Sequence, residues 1–374
     1  KAGAAGQSRE RILNDAADRA SLTQRFRRLI AVHGPLPVAR FMGESNAHYY
    51  AARDPLGGPR EVGGGDFITA PEISQMFGEL VGLWLADIWT RAGSPEDAIY
   101  CELGPGRGTL AKDALRSMAR FGCAPQVHFV EGSPALRALQ AEAVPGALFH
   151  DDLSSVPEDG PLLLVANEFF DALPVRQRVR TEAGWRERMV GLGEDDAFVF
   201  VAGDQPMDSA VPALWTKSAA GTIIETCPAA AAVMDEIARR LAGQGGVALA
   251  IDYGHLASRT GSTFQAIAQH QKVDPLAEPG TADLTVHVDF AALAEVAQRE
   301  GVRMLGSATQ GEWLTALGID ARAAALAKVS PGRAEEIEVA RARLTAPDQM
   351  GELFKVIAFA RSDWPDGAGL KTSG

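Results

Sequence analysis

From Ala98 onward, short apolar runs alternate with amphipathic stretches, and this rhythm constrains the fold more than any other feature of the chain. AIYCEL, VHFVE, ALFH and PLLLVAN each have the length and aliphatic content of a strand buried on both faces. Between them, TLAKDALRSMARFG puts Leu110, Ala114 and Met118 on one helical side. Ser133-Pro134 marks another helix start, because proline is tolerated at the first helical position. GVALAIDYG, VRMLGSA and LFKVIAFAR supply three later strands. Strands separated by helices in this way build a mostly parallel sheet covered on both faces. The expected fold is therefore α/β, a doubly wound, Rossmann-like sheet of seven strands. An N-terminal helical segment precedes it and a subdomain is inserted in it.

Read along the chain, residues 1–20 form a flexible N-terminus and 21–97 a helical cap. In the cap, Ser21 is expected to start a helix carrying Leu22, Phe26, Leu29 and Ile30, which His33-Gly34-Pro35 ends. A polar, Gly-rich stretch from Glu44 to Asp66 leads to a second helix through Ile73, Phe77, Leu80, Val81, Trp84 and Ile88. Residues 98–180 hold the first part of the core. Residues 181–242 hold inserted antiparallel strands (WRERMVG, AFVFVAG) and a helix, and 243–258 a core strand. Residues 259–344 are a loop-rich and helical insertion with a late core strand, 345–361 the final strand, and 362–374 a flexible tail.

Charge narrows the function classes. The 374 residues carry 36 Lys+Arg against 48 Asp+Glu, a formal net charge of −12. Such a chain gains nothing from the phosphate electrostatics behind nonspecific nucleic-acid binding. Three scattered cysteines make neither a disulfide framework nor a zinc ribbon, which points to a reducing compartment. No apolar run approaches the ~18 residues of a membrane span. The strongest candidate, Leu80 to Trp89, is short and contains Asp87. The start is polar, unlike a signal peptide, and its Lys in place of Met reads as a trimmed chain.

The sharpest local motif is Glu102-Leu103-Gly104-Pro105-Gly106-Arg107-Gly108-Thr109, at a strand-to-helix junction. Glycines there permit positive φ and close backbone approach to a ligand. The spacing is G-x-G-x-G. A dinucleotide fingerprint wants glycine where Thr109 stands, and no G-K-[ST] follows for a phosphate loop. Glu102 would repel a pyrophosphate. S-adenosyl-L-methionine (SAM) has no phosphate and carries an ammonium and a sulfonium, so a carboxylate there favours it. Glu131, ending the second strand, is placed to accept hydrogen bonds from both ribose hydroxyls. After the third strand, Asp152 is preferred over Asp151 for the adenine amino group, with Leu153 against the ring. The competing readings are a solvated strand-end Glu102 and a Glu131 that caps the helix at Ser133.

These residues resemble class I SAM-dependent methyltransferases. GDFITAPEISQMFGEL, ELGPGRGTL, NEFFDALP, DYGH, DLTVHVDF and MGELFKV, in one order from about Gly34 to Arg361, resemble the MidA family. Its mitochondrial members are the arginine methyltransferases of respiratory complex I assembly. Ile68 and Ala70 stand where small polar residues are expected in relatives. The resemblance implies SAM as cofactor, with S-adenosyl-L-homocysteine as product, and methylation of a protein arginine. A complex I subunit is the target in mitochondrial relatives. The implied location is the cytoplasm for a bacterial chain and the mitochondrial matrix for eukaryotic relatives.

Asn167-Glu168-Phe169-Phe170-Asp171-Ala172-Leu173-Pro174 follows the fourth strand, beside the methyl in this architecture. Carboxylates there would fix a guanidinium plane and take the proton shed on methylation. Glu168 and Asp171 are the expected catalytic, substrate-binding pair, and Asn167 bridges cofactor and substrate. A turn-capping role for Asp171 weighs about equally. Thr69 and Glu72 are expected to fold over the cofactor, with Tyr253 and His255 on the same edge near the substrate. For Pro71-Glu72 a plain helix start, and for His255 a backbone hydrogen bond, are the competing readings. His270, Asp283, His287 and Asp289 lack ligand spacing, so no metal is expected. Three other functions stay open: a SAM-binding assembly factor, a small-molecule methyltransferase with Trp185 and Trp313 lining a pocket, and an NAD-linked oxidoreductase.

Overall fold

The computed structural model describes residues 22–52, 69–268 and 271–372. Ser21 and His270 lie outside the described residues. By their contacts the described residues form two compact units: 69–171, 230–258 and 287–372 make one, and 22–52, 172–229 and 259–286 make the other. The division follows contacts rather than chain order. The two helical stretches expected to share one cap, near 22–33 and 75–91, belong to different units.

The larger unit is the expected α/β sheet. Its strands are β1 (Ile99–Leu103), β2 (Gln126–Val130), β3 (Leu148–His150), β4 (Leu162–Asn167), β5 (Gly246–His255), β6 (Arg303–Thr309) and β7 (Phe354–Ala360). They stand in the order β6-β7-β5-β4-β1-β2-β3, and the two-residue strand Val288–Asp289 pairs with the end of β5. β1 to β5 are mutually parallel, and β7 runs antiparallel to both β5 and β6. β1 and β4 are buried along their whole length, as their unbroken apolar sequences require.

Helix α1 (Gln75–Arg91) and helix α2 (Thr109–Ala119) pack with the sheet in one apolar core. Met76, Phe77, Leu80, Val81, Trp84 and Ile88 of α1 are buried there. Two small residues bring the helices close. A methyl group on Gly82 would lie 2.2 Å from the Ala114 carbonyl oxygen, and one on Gly78 would lie 2.8 Å from Asp113 Cβ. Trp313 packs at 6.2 Å from Trp84 in this core, so it does not line a pocket.

The helix expected to run through Ile73 is two helices. Ala70–Ile73 makes one turn, Ser74 is extended (φ −162°, ψ 140°), and α1 starts after it. Pro71 sits in the first turn of the short helix, and Ser74 Oγ accepts the Met76 N–H at 3.2 Å, capping α1. Periodicity carried through the break because Ile73 still packs against the core.

In the smaller unit a helix over 22–33 buries Leu22, Phe26 and Ile30, and Gly34 at φ +81° follows it. The polar, Gly-rich stretch that begins at Glu44 is helical as far as Ala52, in the helix Val38–Ala52. Phe41, Met42, Ser45, Asn46 and Tyr49 turn inward at helical spacing. Asn46 reads as polar, yet its amide bonds the backbone of Leu284 in both directions, at 2.8 and 3.0 Å. The strands Arg176–Thr181, Gly184–Leu192 and Phe198–Pro206 are antiparallel, as their alternation predicts, with Leu36–Pro37 and Ile223–Thr226 completing the sheet. Trp185 is buried there with Val211 and Ile224. The region from 259 contains a small sheet of Gln265–Ala268, Gln271–Val273 and Asp283–Thr285.

Candidate active site

Parallel β1 to β5 end at one edge of the sheet. Leu103 is level with Val130 and Ala166, and Val130 with His150. The next residues, Gly104, Glu131, Asp151 and Asn167, therefore make a row just beyond the strands, where open α/β sheets bind ligands. Tyr253 and His255 lie farther along the same edge on β5.

The glycine loop closes tightly. Gly104, Gly106 and Gly108 have φ of +61°, +55° and +78°, values glycine adopts at little cost. The Gly104 N–H donates to the Val130 carbonyl at 3.0 Å. A methyl group on Gly104 would approach the Phe169 ring to 3.1 Å, so the loops after β1 and β4 lie against each other. On helix α3 (Pro134–Ala143), Gln140 Nε2 donates to the Gly106 carbonyl at 2.7 Å and to Glu131 Oε2 at 3.3 Å. Sequence reasoning missed this fully buried glutamine; a polar residue on the apolar side of an amphipathic helix was the available signal.

Glu102 is 3% exposed and accepts the Tyr100 hydroxyl at 2.7 Å. Burial pushes its carboxyl up to about 7, against the opposing pull of that hydrogen bond. It is not a solvated strand end. Glu131 Oε1 accepts the Ser133 N–H at 2.7 Å, just ahead of helix α3, which Ser133 Oγ caps through the Leu136 N–H. Burial raises its carboxyl despite the Ser133 and Gln140 donors. Asp152 Oδ1 accepts Ser154 Oγ at 2.7 Å and the Ser155 N–H at 3.1 Å, which cap a short turn. These bonds, the Ser154 hydroxyl first, hold its carboxyl low. Asp151 pairs with Arg137 at 2.6 Å, and Leu153 is buried.

After β4 the chain turns sharply. Glu168 has φ +50°, and its N–H donates to the Ile251 carbonyl at 2.8 Å. Glu168 Oε1 accepts the Ala70 N–H at 3.0 Å and Asn167 Nδ2 at 3.2 Å. Asn167 is 8% exposed, and its Oδ1 is buried without a hydrogen-bond partner among the described residues. Asp171 is buried on the same turn. Glu72 Oε1 accepts Thr109 Oγ1 at 2.5 Å, so the 69–73 segment touches both the start of α2 and Glu168. Thr69 is half-buried and its side chain makes no cap.

Two expected substrate residues are otherwise engaged. Tyr253 is packed between the rings of His287 and Phe354, at 5.6 and 5.4 Å. His255 Nδ1 lies 2.9 Å from the Ala257 carbonyl, which is the backbone bond weighed as its alternative. Asp289 caps a helix through the Ala292 N–H at 3.1 Å, and Asp283 accepts the Tyr50 hydroxyl at 2.8 Å. No group of three or more metal-ligating side chains occurs among the described residues.

Residues 80–308 match a family described as S-adenosyl-L-methionine-dependent methyltransferase. The chain belongs to that family. This methyltransferase is 38% identical to the Protein arginine methyltransferase NDUFAF7 homolog, mitochondrial, of Drosophila melanogaster, over 90% of this chain and 84% of the relative. It is 36% identical to Protein arginine methyltransferase NDUFAF7, mitochondrial, of Homo sapiens, over 87% of this chain and 80% of the relative. Among solved structures it is similar to a protein from Burkholderia thailandensis bound to S-adenosyl-homocysteine, with a TM-score of 0.81 and 28% identity over 95% of each chain.

The edge of the methyltransferase's sheet fits its cofactor. Glycines open backbone space after β1, the carboxyls of Glu102 and Glu131 stand at the ends of β1 and β2, and Asn167 Oδ1 is a buried acceptor with no donor among the described residues. The dinucleotide alternative is set aside by the family match.

Proposed function

We propose that this methyltransferase transfers its methyl group to an arginine side chain of a protein, with a respiratory complex I subunit as the first candidate acceptor. The matrix in eukaryotic cells and the cytoplasm in bacterial ones are the corresponding settings. The observation that carries this reading is the carboxylate-bearing turn from Asn167 to Asp171, held against the glycine loop. The names of the relatives support the same acceptor class.

SAM supplies an electrophilic methyl carbon on a sulfonium. In this reading Glu102, the glycine loop, Glu131, Asp152 and Leu153 hold the cofactor, and Asn167 Oδ1 takes a hydrogen bond from it. A guanidinium stays protonated below pH ~12 and spreads its charge over three nitrogens. Glu168 and Asp171 accept hydrogen bonds from the nitrogens that do not attack, which fixes the guanidinium plane and localises charge away from the nucleophile. As the attacking nitrogen is methylated, the same carboxylate pair would take the N–H proton that the guanidinium sheds. Thr69 and Glu72 hold the 69–73 segment over the acceptor. Tyr253 shapes the edge through packing, and His255 acts through its loop.

The test is incubation with methyl-tritiated SAM and a protein extract, followed by mapping of the labelled residue by mass spectrometry. Label on arginine is expected. Label on another side chain or on a small molecule overturns the reading. So does binding of S-adenosyl-homocysteine with no labelled acceptor, the outcome expected of an assembly factor.

A further inference from the structure

Asp252 lies on β5, directly after Ile251, the residue level with Asn167. Its side chain is completely buried. Oδ2 accepts three successive backbone N–H groups, those of Phe169, Phe170 and Asp171, at 3.2, 3.0 and 3.2 Å. Oδ1 accepts the Tyr253 N–H at 2.9 Å. Three consecutive amides converge on one oxygen only if the chain curls around it, and this curl begins at Glu168, at φ +50°. Burial first, then the charges of Asp171 and Glu168, drive the Asp252 carboxyl up, and the backbone donors oppose them. A carboxylate kept at such a place is doing what a side chain of the turn itself would otherwise have to do.

We infer that Asp252 is a positioning residue for methyl transfer. Through the amides of Phe169, Phe170 and Asp171 it holds the turn that presents Glu168 and Asp171, and it touches neither cofactor nor acceptor. The inference rests on the reading of Glu168 and Asp171 as the acceptor-binding pair. An aspartate suits the place because both of its oxygens accept. The amide of asparagine must aim its NH2 either at the Tyr253 N–H or at the three loop amides, so Asp252→Asn keeps the volume and loses one side of the network.

The experiment compares wild type, Asp252→Asn, Glu168→Gln and the double variant. It measures S-adenosyl-homocysteine affinity by calorimetry and the rate at which tritiated methyl enters extract protein at saturating SAM. Asp252→Asn is expected to slow transfer at least tenfold while affinity stays within threefold. The double variant is expected to be slower than Glu168→Gln by less than the factor that Asp252→Asn costs alone, because one of the two positioned carboxylates is already gone. Wild-type rates in Asp252→Asn, an affinity loss as large as the rate loss, or multiplying losses in the double variant would each overturn the inference. Amide hydrogen exchange on the wild-type chain decides the matter if Asp252→Asn does not fold. Phe169, Phe170 and Asp171 amides should be protected like those of β4, and exchange at open-loop rates refutes the network. Label on a residue other than arginine sinks the acceptor reading alone, since the rate of entry into protein is still measured.

Discussion

Glu168 carries a conformation that an L-residue adopts at a cost of ~1 kcal/mol or more, and it does so between a buried asparagine and a pair of phenylalanines. Strain of this kind persists where neighbours over-determine it, here the Ile251 carbonyl, the Ala70 N–H and the amides gathered on Asp252. Glu168→Gln keeps the backbone contacts and removes the charge. It is expected to leave S-adenosyl-homocysteine affinity within about twofold while slowing transfer by about 100-fold, read from tritiated-methyl incorporation. Glu102 yields a pH prediction. Its carboxyl sits at about 7 in the folded chain against an ordinary 4.5, so between those values the folded state holds a proton that the unfolded chain releases. Stability from this group is therefore present at low pH and is lost as pH rises from 4.5 through 7. In the proposed role Glu102 would meet a cationic amino group in its ionised form, so affinity would run the other way. It should strengthen by up to about tenfold from pH 6 to pH 8, as the ionised fraction rises. Calorimetry at both pH values checks it, and Glu102→Gln should flatten the profile.

Between elements, close approach fixes geometry. α1 and α2 meet where Gly78 and Gly82 leave no side chain, with the Ala114 carbonyl oxygen 2.2 Å from where a Gly82 methyl would sit. The obstructing atom is backbone, so the helices must part to admit a methyl group. Gly82→Ala is expected to cost about 1–3 kcal/mol in urea unfolding, although alanine is the better helix former. Because α2 begins directly after Gly108, the shift should also weaken S-adenosyl-homocysteine binding. A stable variant with unchanged affinity would show that the loop is not braced through this contact.

At the scale of the whole chain, the larger unit is tied across long sequence separation by Glu79. It is buried on α1 and accepts Arg322 at 2.7 and 2.9 Å and Arg116 at 3.0 Å. Burial alone would raise its carboxyl, yet the hydrogen bonds and charges of Arg322 and Arg116 outweigh it and hold the group below its ordinary value. That stability is present above pH 4.5 and is lost as pH falls. Arg322→Met should remove about 2 kcal/mol near pH 7 and less at pH 4, measured by urea unfolding at the two pH values.

The α/β rhythm from Ala98, the glycine loop and its ligand preference were legible in sequence because each is local. A strand buried on both faces is a continuous apolar run, and a loop that needs positive φ needs glycine. Other features came only with the tertiary structure. Asn46 reads only as part of a polar stretch until the Leu284 backbone is beside it. Gln140, Asp252 and Glu79 read as misplaced polar residues until their partners, distant in the chain, arrive. The placement of Tyr253 and His255 on the right edge was legible, but what they touch there was not. Sequence alone thus determined the order of the core strands and helices and the edge where the glycine loop and strand-end carboxyls gather, since these follow from periodicity and backbone freedom within a few residues. Tertiary structure decided which buried polar groups are satisfied and by whom, since a hydrogen bond between residues of different elements leaves no periodic trace in either segment.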